Sequence, residues 1–197
     1  MTTKPRRLRP APAWAHVTGI VNLIAGDRPP WDARSQLAER LHRYCWYFDE
    51  RRADLLEDCF TEDAEWAGNA MGETVIGPMV GRAEIMSWLT GFWPHQSDQR
   101  RHVVTNFIVE RQTPTEATGL AYLLLLGSKQ SAVALESAGF YSVDYRQEKG
   151  TWRISRLTAG FDVPFWKQEV ASMEPWVRAL LGIREEGPPS ATPTIIS

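Results

Sequence analysis

Hydrophobic and polar positions repeat with two different periods along this chain, and the change of period divides it. From Ser35, a residue type that caps helices, Leu37, Leu41, Tyr44, Cys45 and Phe48 recur at helical spacing as far as about Arg51. Trp46 and Tyr47 carry aromatic character past that stripe, which predicts a helix buried over much of its circumference. A second short helix is expected from about Ala53 to Phe60, with Leu55, Leu56 and Phe60 turned inward. Thr61, Glu62 and Asp63 break it. Ala64 to Trp66 opens a strand that returns through Thr74 to Ile76, and Gly77 and Gly81 bracket a loop. A third amphipathic helix, about Arg82 to Phe92, buries Ile85, Trp88, Leu89 and Phe92.

After that helix the period falls from about 3.6 to about 2. Arg101 to Glu110 is a β-branched run, with His102, Val104, Asn106 and Ile108 on one face and Val103, Thr105, Phe107 and Val109 on the other. A turn at Thr113, Pro114 and Thr115 precedes Ala117 to Leu126, which is apolar on both faces and reads as a central, covered strand. Ala138 to Gln147 is a long strand with Tyr141, Val143 and Tyr145 on one face. Glu148, Lys149 and Gly150 form a hairpin turn into the last strand, Thr151 to Ala159. A closing amphipathic segment carries Trp166, Val170, Met173, Val177 and Leu180, with Pro175 expected to split or kink it. Three helices with an early strand pair, a meander of long strands and a last helix define the α+β class. The expected form is a curved antiparallel sheet, a cone-like half barrel packed with helices around one pocket.

The ends read differently from the middle. Lys4, Arg6, Arg7 and Arg9 ahead of the stretch from Val17 to Ala25 partly mimic a leader. Pro10, Pro12, Trp14 and His16 intervene, however, no clean cleavage site follows, and no stretch reaches the ~18 apolar residues of a membrane span. Residues 1–34 are taken as an N-terminal extension, 35–184 as the domain, and 185–197, with Gly187, Pro188, Pro189 and Pro193, as a disordered tail. A length of 197 residues suits one domain. The net charge of −2 gives no reason to expect nucleic acid or an anionic membrane as partner. Nine tryptophans are many for this length and suggest either an aromatic-lined cavity or simply an aromatic core. Cys45 and Cys59 lack metal-ligand spacing and read as reduced core residues of a cytoplasmic protein.

Tyr44 through Arg52, followed by Phe60 through Trp66, resembles the opening of SnoaL-like domains of the nuclear-transport-factor-like superfamily. The stretch Arg101 to Asn106 is similar to that family's His-x-x-x-Asn strand, and Gly150 to Ile154 looks like its last strand. The resemblance covers about residues 35–166 and implies a fold, but no single function. In the scytalone-dehydratase, bile-acid-dehydratase and dehydrochlorinase branches, an aspartate late in the first helix pairs with a histidine on the strand after the third. Asp49 and His102 fall at those places, and Tyr44 matches a tyrosine that one dehydratase branch uses. Imidazole takes a proton near neutral pH, a carboxylate fixes its tautomer, and a phenol donates to a developing oxyanion. Each residue also has a plainer reading. Asp49 can cap the next helix or pair with Arg52, His102 can be a satisfied strand residue, and Tyr44 can be core.

Scytalone dehydratase has a second pocket histidine on the following strand, where Leu124 to Gly127 offer none, and Tyr141 stands about where it has an asparagine. That particular reaction is therefore not expected. Four scattered histidines show no metal spacing and no glycine-rich phosphate loop appears, so no cofactor and no metal are expected. The expected function is a cofactor-free lyase, of dehydratase type, or an isomerase or cyclase acting on a small hydrophobic ring compound. Trp66, Trp88, Tyr122, Tyr141 and Phe161 should line its pocket, with Trp93 or Phe165 near the mouth. The alternative is a non-catalytic subunit, because Phe48 to Arg52 and the Arg101 to Asn106 strand also resemble β subunits of ring-hydroxylating dioxygenases. The covered central strand predicts a homodimer or homotrimer.

Overall fold

The computed structural model of the chain describes residues 33–166 and 172–183. The tail, and the extension apart from its last two residues, lie outside the described residues, as does Val170. Helix α1 (Ala33–Asp49) is followed by the single turn α2 (Ala53–Leu56), a 3-10 turn (Glu57–Cys59) and the strand pair β1 (Phe60–Ala70) and β2 (Thr74–Val80). Helix α3 (Arg82–Gly91) leads to β3 (Gln99–Gln112), β4 (Glu116–Lys129), β5 (Ala132–Glu148) and β6 (Thr151–Phe161), and α4 (Pro175–Leu181) closes the described chain. The element order is the expected one, with strands longer than the hydrophobic pattern alone marks out. Pro175 begins α4 rather than kinking a longer helix, since at the first turn its missing N–H costs nothing.

The six strands form one curved, unclosed sheet in the order β2-β1-β6-β5-β4-β3. Every neighbouring pair is antiparallel except β1 and β6, which run parallel and make the sheet mixed. Local patterning could not reveal that pairing, because it joins the first strand to the last. Lys149 and Gly150, both at positive φ, make the tight turn that returns β5 into β6. Helix α1 lies against β3 and β6 and α3 against β1, so the helices cover the concave face. Leu37, Leu41, Leu56, Phe60, Ile85, Leu123, Val143, Ile154 and Leu157 are fully buried between these layers. Each such aliphatic or aromatic side chain contributes about 1.5–3 kcal/mol on leaving water.

The face assignment in β3 needs one correction. Ile108 was expected beside His102, yet it is 51% exposed, while Phe107 and Val109 pack on the core. Asn106 has φ 56°, and the register with β4 slips between Thr105 and Ile108. This bulge inserts a residue and exchanges the faces beyond it.

Cys45 and Cys59 are buried and unpaired with each other. Burial pushes the Cys45 thiol well up and the Cys59 thiol up to about 11, the latter against the pull of Arg40. Since the thiolate is the reactive form, the folded protein at neutral pH should react with neither thiol in a DTNB assay. Both should titrate after denaturation; a rapid native reaction would contradict this.

Candidate active site

Asp49 is the last residue of α1, and the way that helix ends sets the site. Arg51 adopts a left-handed conformation, with φ 53°. Its N–H donates to the Phe48 carbonyl, and the Arg52 N–H reaches back to Tyr47 at 2.8 Å, a Schellman-type stop. The Arg51 guanidinium then donates to the Gln96 carbonyl at 3.0 Å, tying the α3–β3 connection to the helix end. Gln99, the first residue of β3 and almost fully buried, donates to the Asp49 carbonyl at 3.1 Å. Next to it, buried Glu50 is ion-paired with Arg101. Three polar contacts thus hold the end of α1 against the start of β3.

That clamp brings Asp49 and His102 into direct contact. One carboxylate oxygen of Asp49 lies 2.7 Å from His102 Nδ1, and the other accepts the His102 backbone N–H at 2.8 Å. Only 5% of the Asp49 side chain and 12% of the His102 side chain are exposed. An anion at a helix C-terminus is disfavoured by the dipole, and the two N–H donors offset that. With an ionised carboxylate on Nδ1, the proton sits there and Nε2 keeps its lone pair. Phe48 packs edge-on against the imidazole at a centroid distance of 5.4 Å. Asp49 therefore does not pair with Arg52, which binds Asp54 instead.

His102 lines a cavity of about 370 Å³. Tyr44, Trp66 and Tyr141, all nearly fully buried, lie in its depth, and exposed His95 and Ser97 stand at its edge. The Trp66 indole N–H donates to the Tyr44 hydroxyl at 3.1 Å, and the Tyr141 ring stands edge-on to Tyr44 at 6.2 Å. Burial pushes both phenols far above the usual tyrosine range. Trp88 stacks at a tilt on Trp66 at 4.3 Å and donates its indole N–H to the Leu180 carbonyl of α4 at 3.1 Å. Phe161, Phe165 and Trp166 form a further aromatic wall, with successive centroids 5.1 and 4.9 Å apart.

Of the expected lining residues, Trp66, Trp88, Tyr141, Phe161 and Phe165 face the cavity. Tyr122 does not: it is 61% exposed on the outer face of β4, one position out of phase with inward Ala121 and Leu123. The run is apolar on both faces, so alternation gave no phase there. Trp93 does not line the cavity either; it packs behind it on Phe48, at a centroid distance of 6.0 Å. Sequence reading passed over Phe48, Phe92, Asp98 and Arg100, which do line it. Arg100 was readable, since it lies two residues before His102 and so shares its face of a strand. Among the described residues no cluster of three His, Cys, Asp or Glu side chains could hold a metal ion, and no helix is long and apolar enough to cross a membrane.

The model of the SnoaL-like domain family matches residues 30–158, a span that takes in Asp49, His102, Tyr44 and the first five strands. The chain belongs to the SnoaL-like domain family. Solved structures agree with this fold. A candidate aromatic ring hydroxylase from Novosphingobium aromaticivorans is 25% identical, with TM-score 0.56, over 70% of this chain and 94% of that one. The β subunit of a candidate aromatic-ring-hydroxylating dioxygenase from the same species is 14% identical, with TM-score 0.60, over 67% of this chain and 90% of that one. An NTF2-like protein with a cystatin-like fold, also from that species, is 20% identical, with TM-score 0.57, over 75% of this chain and 88% of that one. No curated protein matches the sequence significantly. SnoaL-like domains include enzymes, among them cyclases and isomerases, as well as non-catalytic members.

Proposed function

We propose that this SnoaL-like domain is a cofactor-free lyase of dehydratase type, or an isomerase or cyclase, acting on a small hydrophobic ring compound. The observation that carries the reading is the His102–Asp49 contact at 2.7 Å on the wall of an aromatic cavity. His102 Nε2 removes a proton from carbon, and Asp49 holds the ring and stabilises the imidazolium as it forms. Tyr44, kept protonated by burial, donates to the oxygen on which negative charge develops, or to a departing hydroxyl. In an elimination, the C–H electrons form the new double bond as the C–O bond breaks, and the departing hydroxide takes the proton from the imidazolium and leaves as water. In an isomerisation, the imidazolium returns its proton to another carbon. The cavity has room for one or two fused rings.

Both outcomes share the first step, so one experiment tests them together. A panel of cyclic ketones and hydroxyketones is incubated with the protein in heavy water and followed by mass spectrometry. Deuterium incorporation or loss of water is expected with the wild type and not with His102→Ala. Turnover that survives in His102→Ala would overturn the reading.

A second reading, a non-catalytic subunit, is supported by the likeness to dioxygenase β subunits and by the outer face of the sheet. There Tyr122, Leu124, Phe140 and Val103 form an exposed apolar patch across β3, β4 and β5. Patches of this kind are usually covered by another chain. On the first reading that chain is a second copy, and a homodimer or homotrimer is expected by light scattering at micromolar concentration. A monomeric mass would exclude it.

A further inference from the structure

We propose that Arg100 is an anion-binding residue of this pocket, and that the substrate is a ring compound bearing a carboxylate about one ring's length from the carbon that His102 attacks. The inference rests on the reading of His102 as the base. Arg100 and His102 lie two residues apart in β3, both line the cavity, and alternate residues of a strand point the same way. Their Cα atoms are therefore separated by roughly 7 Å along the strand. A ring that places a C–H at His102 brings a substituent on its far side to Arg100.

Arg100 is already oriented for this. Its Nε donates to Asp98 at 2.5 Å, which fixes the guanidinium plane. Its two terminal nitrogens take no hydrogen bond among the described residues, and the side chain is 21% exposed. They present a flat pair of donors of the kind that binds a carboxylate with two parallel bonds. Asp98 does not cancel this charge alone, because Arg51 is a second cation beside it, with its guanidinium on the Gln96 carbonyl and its field on Asp98. Glu136 lies next to Asp98 over Gly127, but does not line the pocket. Arg100 is the one Lys or Arg among the described lining residues, whereas the phenols and indoles deeper in carry no positive charge. A carboxylate thus belongs at the edge of the pocket and the ring in its depth.

The test is binding, which separates it from the chemistry. Calorimetric titration compares 2-naphthoate with its methyl ester, on the wild type and on Arg100→Gln. The acid should bind the wild type about tenfold or more tightly than the ester, as expected for a charge-assisted pair. Arg100→Gln should erase that preference and leave ester affinity unchanged, which also certifies the variant's fold. His102→Ala should keep the preference even where turnover is lost. Equal binding of acid and ester to the wild type, or a preference that survives Arg100→Gln, would overturn the proposal.

Discussion

His102→Ala should lower turnover by about a hundred- to ten-thousandfold while ligand affinity changes little. That range is what a positioned general base typically contributes, and an effect on kcat alone marks an interaction made in the transition state. Asp49→Asn should fall in the same range although the two side chains are the same size. The amide cannot stabilise the imidazolium, and its N–H₂ would compete with the Nδ1 proton for the 2.7 Å contact, favouring the wrong tautomer. Tyr44→Phe should cost less, about tenfold to a hundredfold, because one hydrogen bond to a developing oxyanion is lost while the Trp66 N–H is left without its partner. Single-turnover kinetics with the substrate found in the heavy-water assay would measure all three. If Asp49→Asn kept most of its activity while His102→Ala did not, Asp49 would be a structural anchor rather than part of a dyad.

What the sequence made legible depended on how local each signal is. The stripe of Leu37, Leu41, Tyr44 and Cys45 lies within one helix, and all four are buried. Asp49 sits at the edge of that stripe, where helical geometry leaves burial and exposure equally open. Its actual environment comes from β3, whose first residues Gln99, Arg101 and His102 each bind the end of α1. A contact between residues 49 and 102 has no local signature, and only resemblance to a family suggested it. Period-2 alternation worked where one face was polar and failed in two definable places. In β4 both faces are apolar, so Tyr122 was assigned to the cavity although it points outward at 61% exposure. In β3 a bulge at Asn106 reversed the phase midway, which no count of alternating residues reveals. Arg100 escaped notice for another reason. Arginine at a strand start is ordinarily solvated, and that expectation outweighed the face it shares with His102 until the cavity beside them was seen.

Beside the cavity wall, β5 and β6 approach too closely for side chains at one place. Gly139 pairs with Phe161, and Gly160 with Phe140, immediately beside the cavity wall formed by Tyr141 and Phe161. A Cβ at Gly139 would lie 1.9 Å from the Gly160 carbonyl oxygen and 3.0 Å from the Phe161 Cα, both backbone atoms of a paired strand. Neither can turn aside without opening the ladder. Gly139→Ala should therefore destabilise the protein by about 3 kcal/mol or more, at or beyond the top of the usual range for overpacking. A Cβ at Gly160 would also collide, at 2.2 Å, but with the ring of Phe140, which is 45% exposed on the outer face and free to swing toward solvent. Gly160→Ala should accordingly cost about 1 kcal/mol or less. Urea unfolding of the two variants, compared through midpoint and slope, tests the account directly. If the costs were equal, rigidity of the obstructing group would not be what decides them. If Gly139→Ala were as stable as the wild type, the close approach of β5 and β6 would not be a fixed feature of the fold.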